Sequence, residues 1–260
     1  MGAPIIAAQL TARQSYQFAI FAAVAQLIIE NLYLKETLPE SKRRSFEGVV
    51  SPFNFYKLFT TNKELTLVMT TVMLQFLVDV KITADSNVIF QLGTLGWDRP
   101  TVQQFSSVLG LGLLIGGTIT KTSMGALGPY GHTSATHYTA IASNLLIGFV
   151  PTSVAAYVSG FMGWYGNLMQ NATKALGTSL AVEAGMGKGE YSGLMANLRA
   201  GMVVLGPYLF GSIAYPIGQN VGVPGMPFVF VAAVLMLAET YHQRAKHALK
   251  IKKAAAAGET

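Results

Sequence analysis

The sequence predicts an all-α, polytopic membrane protein of about seven transmembrane helices. Three observations carry that prediction. Of 260 residues, 51% are hydrophobic and only 12% are charged, with a mean hydropathy of +0.42; a soluble domain usually carries about a quarter charged residues. Seven windows of about 17 to 27 residues are apolar enough to cross a bilayer, which takes about 20 residues of helix. The basic residues gather at the ends of these windows, the pattern in which membrane topology is written. The net charge of +6 is therefore read as topology, and no nucleic-acid partner is expected. The 27 glycines fit helices that pack closely in a membrane, and the absence of cysteine removes disulfides, thiolate metal sites and cysteine nucleophiles.

Residues 1–34 form an N-terminal segment with the first span, 16–34. Its apolar part is long, and Glu30-Asn31 stands where a signal peptide would place small cleavage-site residues, so a retained helix is expected. Residues 35–64 form a charged loop ending in Phe53, Phe55, Tyr56 and Phe59, aromatics suited to the membrane–water interface. A six-helix membrane bundle over 65–243 and a basic tail over 244–260 complete the chain.

Within the bundle the second span covers 65–92, and its second half is polar, with Asp79, Lys81, Asp85, Asn87 and Gln91. Gly96-Trp97-Asp98-Arg99-Pro100 reads as a turn with Trp97 at the interface. The third span, 104–120, holds Gly112 and Gly116 at a close-packing spacing. Gly125, Gly128, Pro129 and Gly131 mark 121–136 as a loop. The fourth span, 137–157, and the fifth, 160–182, follow so closely that a tight antiparallel hairpin is expected. After a Gly-rich turn, the sixth span, 191–216, carries Gly206-Pro207 at its middle and should kink there. The seventh covers 225–241.

Charge sets the orientation. Lys35, Lys42, Arg43, Arg44, Lys57, Lys63, Lys121, Lys188, Arg244, Lys246, Lys250, Lys252 and Lys253 fall on one side, with only Arg13 and Arg99 on the other. By the positive-inside rule the C-terminus is expected on a cytosol-like side (cytosol, stroma or matrix) and the N-terminus opposite. Organelle and plasma membranes both fit.

Glu36-Thr37-Leu38-Pro39 followed by Lys42-Arg43-Arg44 resembles the exit of the sixth helix of a major facilitator superfamily transporter. Leu95-Gly96-Trp97 with Val102-Gln103-Gln104-Phe105 resembles the joint between that family's seventh and eighth helices. Gly189-Glu190-Tyr191-Ser192-Gly193-Leu194 with Leu205-Gly206-Pro207 resembles its eleventh. In order and spacing these motifs are similar to the C-terminal half of a drug or tetracycline antiporter, preceded by one additional helix. The resemblance implies a six-helix bundle that in the family faces a second half across a substrate path. The additional helix is expected to shield part of the face the absent half would cover. The family's C-terminal half often carries a Gly-x-x-x-Asp-Arg-x-Gly-type gating loop. The matching stretch from Gly116 to Gly125 has no acid and only Lys121 as a base, so no charge latch forms from it.

Ionisable and polar residues inside spans are the candidate site. Lys81 and Asp85, four apart, share a helix face; Asp79 points elsewhere. Either Asp79 or Asp85 carries a proton or cation, or the helix ends near Val80 and these charges meet water. Trp164, Asn167, Asn171 and Lys174 follow a helical stripe, with Gln170 beside it. The stripe is a transport-path wall or a set of interhelical hydrogen bonds. Glu183, Glu190 and Arg199 are structural ion-pair candidates, Arg199 pairing with one of the two acids or snorkelling outward. Gly193, Asn197 and Gly201 read as a close-packed face. His132 and His137 lack a third ligand, so no metal is expected; they could face a pigment magnesium, and the bundle could hold a lipid, but no cofactor is evident. No phosphate loop, hydrolase elbow or zinc-helix motif occurs, so no catalytic residue and no enzyme are expected.

The missing half and missing latch favour a transporter-derived, non-transporting accessory subunit of a larger membrane complex, in contact with lipid and other membrane subunits. The alternative is a solute or drug transporter of the proton-coupled antiporter type, built with a second half-transporter or as a processed piece of a full one.

Overall fold

The computed structural model describes residues 12–33 and 51–256, and every regular element among them is helical. The chain divides into two compact units, 1–51 and 52–260. In the first, α1 (Ala12–Tyr33) is a 22-residue, mostly apolar helix in which Gln26 donates to Glu30 at 2.7 Å one turn on. The Glu36-Thr37-Leu38-Pro39 and Lys42-Arg43-Arg44 motifs lie outside the described residues.

The second unit opens with a 3-10 helix, Pro52–Phe59. Leu58 is fully buried, and Phe55 and Phe59 pack on the core, while Phe53 and Tyr56 face outward. The aromatic segment thus divides between core and surface. The next helix, α2 (Lys63–Leu77), is capped by Asn62, whose side chain accepts from the Leu65 N–H at 2.8 Å; such a cap contributes about 1 kcal/mol. Leu65, Val68, Met69, Val72 and Phe76 recur at helical spacing and are buried, and so are Thr71, Leu74 and Gln75. A helix enclosed nearly all round is the axis of its bundle. Around it pack α6 (Gln170–Glu183), α7 (Lys188–Pro207) and α9 (Met226–Ala256).

After a break at residues 78–79 comes α3 (Val80–Gly93), so the expected span over 65–92 is two helices. Assigned helix continues as α4 over Arg99–Phe149, but α4 is not straight. Gly128 has φ 69° and ψ 171° and is followed by Pro129. His132 Nδ1 lies 2.9 Å from Ser123 Oγ, nine residues away, where a straight helix would separate them by about 13 Å. The first arm meets its neighbours in parallel order, Gly112 against Trp164, Gly116 against Leu168 and Thr120 against Asn171. The second meets them in reverse, Ala140 against Gly166 and Ser143 against Ser159. The chain therefore reverses at Gly128. Arms 99–127 and 129–149 are antiparallel, and the loop expected over 121–136 narrows to a turn. Glycine takes that left-handed φ without strain, and Pro129 cannot donate to the preceding turn.

Next is α5 (Ser153–Gly166), capped by Thr152; the tight turn expected between 157 and 160 falls instead at 150–152, so the expected fourth span ends at Phe149 and its last residues begin α5. Trp97, expected at the interface, is instead buried in a second apolar cluster with Phe90, Phe105, Ile147, Ala155 and Phe228. Its indole N–H donates to Ser153 Oγ at 2.8 Å, which satisfies the polar edge and lets the ring go inside. Residues 167–169 break the expected fifth span before α6 begins.

The kink expected at Gly206-Pro207 is replaced by a change of helix type. Pro207 has no N–H to continue the ladder, and a π-helical stretch, Tyr208–Ala214, follows it before α8 (Tyr215–Asn220). Together these make a 33-residue rod, Lys188–Asn220, the one unbroken helix among the described residues that is long and apolar enough to cross a membrane; Arg99–Gly112 and Leu114–Phe149 are together as long and apolar, but the reversal at Gly128 divides that stretch. Gly193 and Gly201 do not form the expected close-packed face, because nothing lies within 4 Å of a Cβ built on either. The basic tail expected from residue 244 is the far end of α9 up to Ala256. Ala238, His242, Ala245 and Leu249 are buried along one stripe, while Arg244, Lys246, Lys250 and Lys252 are exposed.

Candidate functional site at two paired helix breaks

A helix break inside a bundle frees backbone groups that must find partners. At the first break the Asp79 N–H turns back to the Phe76 carbonyl at 3.1 Å, leaving the Gln75 carbonyl without its usual donor four residues on. Gln170, the first residue of α6 beyond the second break, supplies one from its side chain at 3.4 Å. In return, Gln75 Nε2 donates to the Met169 carbonyl at 3.2 Å. The two breaks therefore lie side by side, and each glutamine serves the other helix's backbone.

Asp79 stands on the first break. Its Oδ2 accepts from Arg199 Nη2 of α7 at 2.8 Å and from Gln170 Nε2 at 3.3 Å. The Arg199 guanidinium and the Lys174 ammonium lie 5.7 and 4.9 Å from the centre of the Phe76 ring. One carboxylate and two cations thus converge beside an aromatic ring, an arrangement that holds α2, α6 and α7 together. The partner of Arg199 is Asp79, and neither Glu183 nor Glu190. Arg199 stands nine residues beyond Glu190 on the same helix, about 13 Å along its axis. Glu190 instead meets Lys57 at 3.7 Å and Glu183 meets Lys252 at 3.3 Å, all of them exposed. Asp85 is exposed on α3, away from this cluster, and the Lys81 side chain lies outside the described residues.

The stripe expected along one helix is dispersed by the break at 167–169. Trp164 packs against Gly112 of the first arm of α4, and Asn171 donates to Thr120 Oγ1 of that arm at 3.0 Å. Gln170 and Lys174 turn to α2. Asn167 faces a cavity between the helices. These residues make no single wall; Gln170 and Asn171 act as interhelical hydrogen bonders.

A second network crosses the bundle from Gln75. Its Oε1 accepts from Thr173 at 2.8 Å, and the Met169 carbonyl fixes where its Nε2 lies. That same nitrogen is 2.8 Å from His137 Nε2. Amide nitrogen only donates, so His137 Nε2 accepts and the ring proton sits on Nδ1, which faces Glu239 Oε2 at 2.7 Å. Gln243 donates to Glu239 and, at 2.9 Å, to Ser134. Gln75 and His137 are fully buried and Glu239 is 6% exposed. His132 belongs to a different cluster, with Ser123 and, through it, Tyr165. Among the described residues no three His, Cys, Asp or Glu side chains are placed to hold a metal. Sequence reasoning passed over Gln75, Glu239 and Thr173. Glu239 was open to discovery, since it is an acid within the span predicted over 225–241.

Neither a family model nor a curated protein matches the chain.

Proposed function

We propose that the chain is a polytopic integral membrane protein of major-facilitator-like half-bundle design, serving as a non-transporting subunit of a larger membrane complex. The observation that carries this reading is how the two interior acids are held. A coupling carboxylate must bind and release its proton or ion as the bundle moves. Asp79 is committed to Arg199 and Gln170, and Glu239 to His137 and Gln243, in contacts that tie five helices together. The polarity of the unit supports a lipid setting: Gln75, His137, Thr173 and Glu239 are inside, while Val203, Val204, Tyr208 and Ile217 of the Lys188–Asn220 rod face outward. Such an exterior is covered by acyl chains or by neighbouring subunits. The positive-inside pattern assigns the α9 end to the cytosol-like side. Mass measurement of the particle released by mild solubilisation tests the reading. A heteromeric set in fixed stoichiometry is expected; a bare homodimer that moves solute in liposomes would overturn it.

One observation favours the alternative of a half-transporter. Asp79 sits on a discontinuous helix, where membrane carriers often place ion sites. A solute or proton flux through the purified protein in liposomes, abolished by Asp79→Asn, would establish that alternative; absence of flux in the wild type removes it.

A further inference from the structure

A cavity of about 110 Å³ lies among α3, both arms of α4, α5 and α9. It begins beside the breaks, at Val78 and Met169, but the Asp79–Arg199 cluster does not line it. No ionisable side chain is found among the described residues of its wall. Its polar character comes chiefly from amides. Asn87 and Gln91 stand one turn apart on α3, and Asn167 ends α5 opposite them. Within the described residues none of these three side chains makes a hydrogen bond, whereas the neighbouring Asn144 is satisfied by Ala140 at 2.8 Å. Gln91 is only 5% exposed. Asn87 is half-buried and Asn167 is exposed, so the three amides line an open cavity where water or a ligand completes them. The rest of the wall is aromatic and aliphatic, including Phe90 and Phe228 in edge contact at 4.9 Å.

We infer that this cavity is a binding site for a small uncharged polyol. An amide both donates and accepts, as a hydroxyl does, so three unpaired amides match a compound with several hydroxyls. The phenyl rings take its C–H faces. An ion has no opposite charge to meet there and would lose its hydration without compensation. Size sets the limit: a cavity of about 150 Å³ encloses the six non-hydrogen atoms of benzene, so this one encloses about four or five, and a compound of glycerol's size reaches out past the exposed Asn167. The site is independent of whether the chain transports, because it lies off the Asp79 cluster and asks only that a ligand be held.

The test uses the full chain, solubilised in a detergent without polyol headgroups, with glycerol as the probe and glycerate as its charged counterpart. Saturation-transfer NMR should show saturable glycerol binding, at least tenfold weaker in Gln91→Met and in Asn87→Leu, with no binding of glycerate. Circular dichroism checks that the variants keep their helix content, and Asn167→Leu at the end of α5 serves if either fails to fold. The inference is overturned if the wild type shows no saturable signal, which leaves the cavity to water alone. It is equally overturned if glycerate binds as well as glycerol, or if folded variants bind like wild type.

Discussion

Gln75→Met is the most informative single change. Methionine keeps the length and nearly the shape of glutamine, so packing around α2 is preserved and the perturbation is the loss of the amide. Three bonds go: those to His137 Nε2, to the Met169 carbonyl and from Thr173. Their consequences differ. Thr173 retains acceptors, with the Met169 and Gln170 carbonyls at 3.3 and 3.2 Å. The Met169 carbonyl keeps the Thr173 hydroxyl. His137 Nε2 is left fully buried with no donor, and it cannot trade tautomers without depriving Glu239 of the Nδ1 proton. Leaving one buried acceptor unsatisfied costs about 1–3 kcal/mol, so a loss of about 2 kcal/mol is expected. Thr173→Val should cost less than about 1 kcal/mol, within the range of a single intramolecular hydrogen bond. Reversible unfolding in mixed micelles measures both. A Gln75→Met cost below about 0.5 kcal/mol, or a Thr173→Val cost equal to it, would refute the assignment of His137 as acceptor and Gln75 as the hub.

Asp79→Asn and Arg199→Gln, combined in a double-mutant cycle, should show coupling below about 1 kcal/mol, because the Arg199 side chain is 40% exposed and solvent screens the pair; unfolding midpoints of the four proteins decide it. A Cβ at Gly112 would overlap the Trp164 indole, whereas one at Gly110 meets nothing within 4 Å. In thermal melts Gly112→Ala should therefore lose about 1–3 kcal/mol by overpacking, and Gly110→Ala should gain up to about 1 kcal/mol in helix propensity. Asp98 caps α4, and hydrogen bonds from the Thr101 side chain and backbone hold its carboxyl below the usual carboxylate range. A depressed acid stabilises the fold fully above its unfolded pKa and loses that contribution as pH falls through the folded value. Melting followed below about pH 4 should accordingly lose less in Asp98→Asn, which caps without titrating, than in the wild type.

Much of the helix plan was legible in the sequence, and the exceptions have physical causes. Apolar windows marked helical segments, and the Gly- and Pro-rich stretch over 121–136 marked the reversal between the arms of α4, while the hairpin expected at 158–159 turns instead at 150–152, where Pro151 has no N–H for a helix to use. Hydropathy averages over a window, so it cannot see that 65–92 and 160–182 each break where another helix repairs the backbone. Those repairs come from Gln75 and Gln170, distant in sequence and adjacent only after folding. The break at 167–169 also explains why the stripe from Trp164 to Lys174 does not share a face. Arg199 was recognised as a pairing residue, but its partner, Asp79, lies 120 positions away at the break at 78–79. The tail from residue 244 was hidden by its charge: five bases suggested a solvated arm, while Ala238, His242, Ala245 and Leu249 held the α9 stripe that continues inward.

Membrane topology is the most direct test of the central claim, and the chain is suited to it because it contains no cysteine of its own. Single cysteines at Ala126→Cys, Gly187→Cys and Ala254→Cys probe the side that the charge pattern assigns to the cytosol. Thr152→Cys and Gly222→Cys probe the other. With an impermeant maleimide applied to sealed vesicles, the first group should label from one face only and the second group from the opposite face. Labelling of all five positions from a single face would contradict a polytopic bundle and, with it, the functional reading built on that architecture.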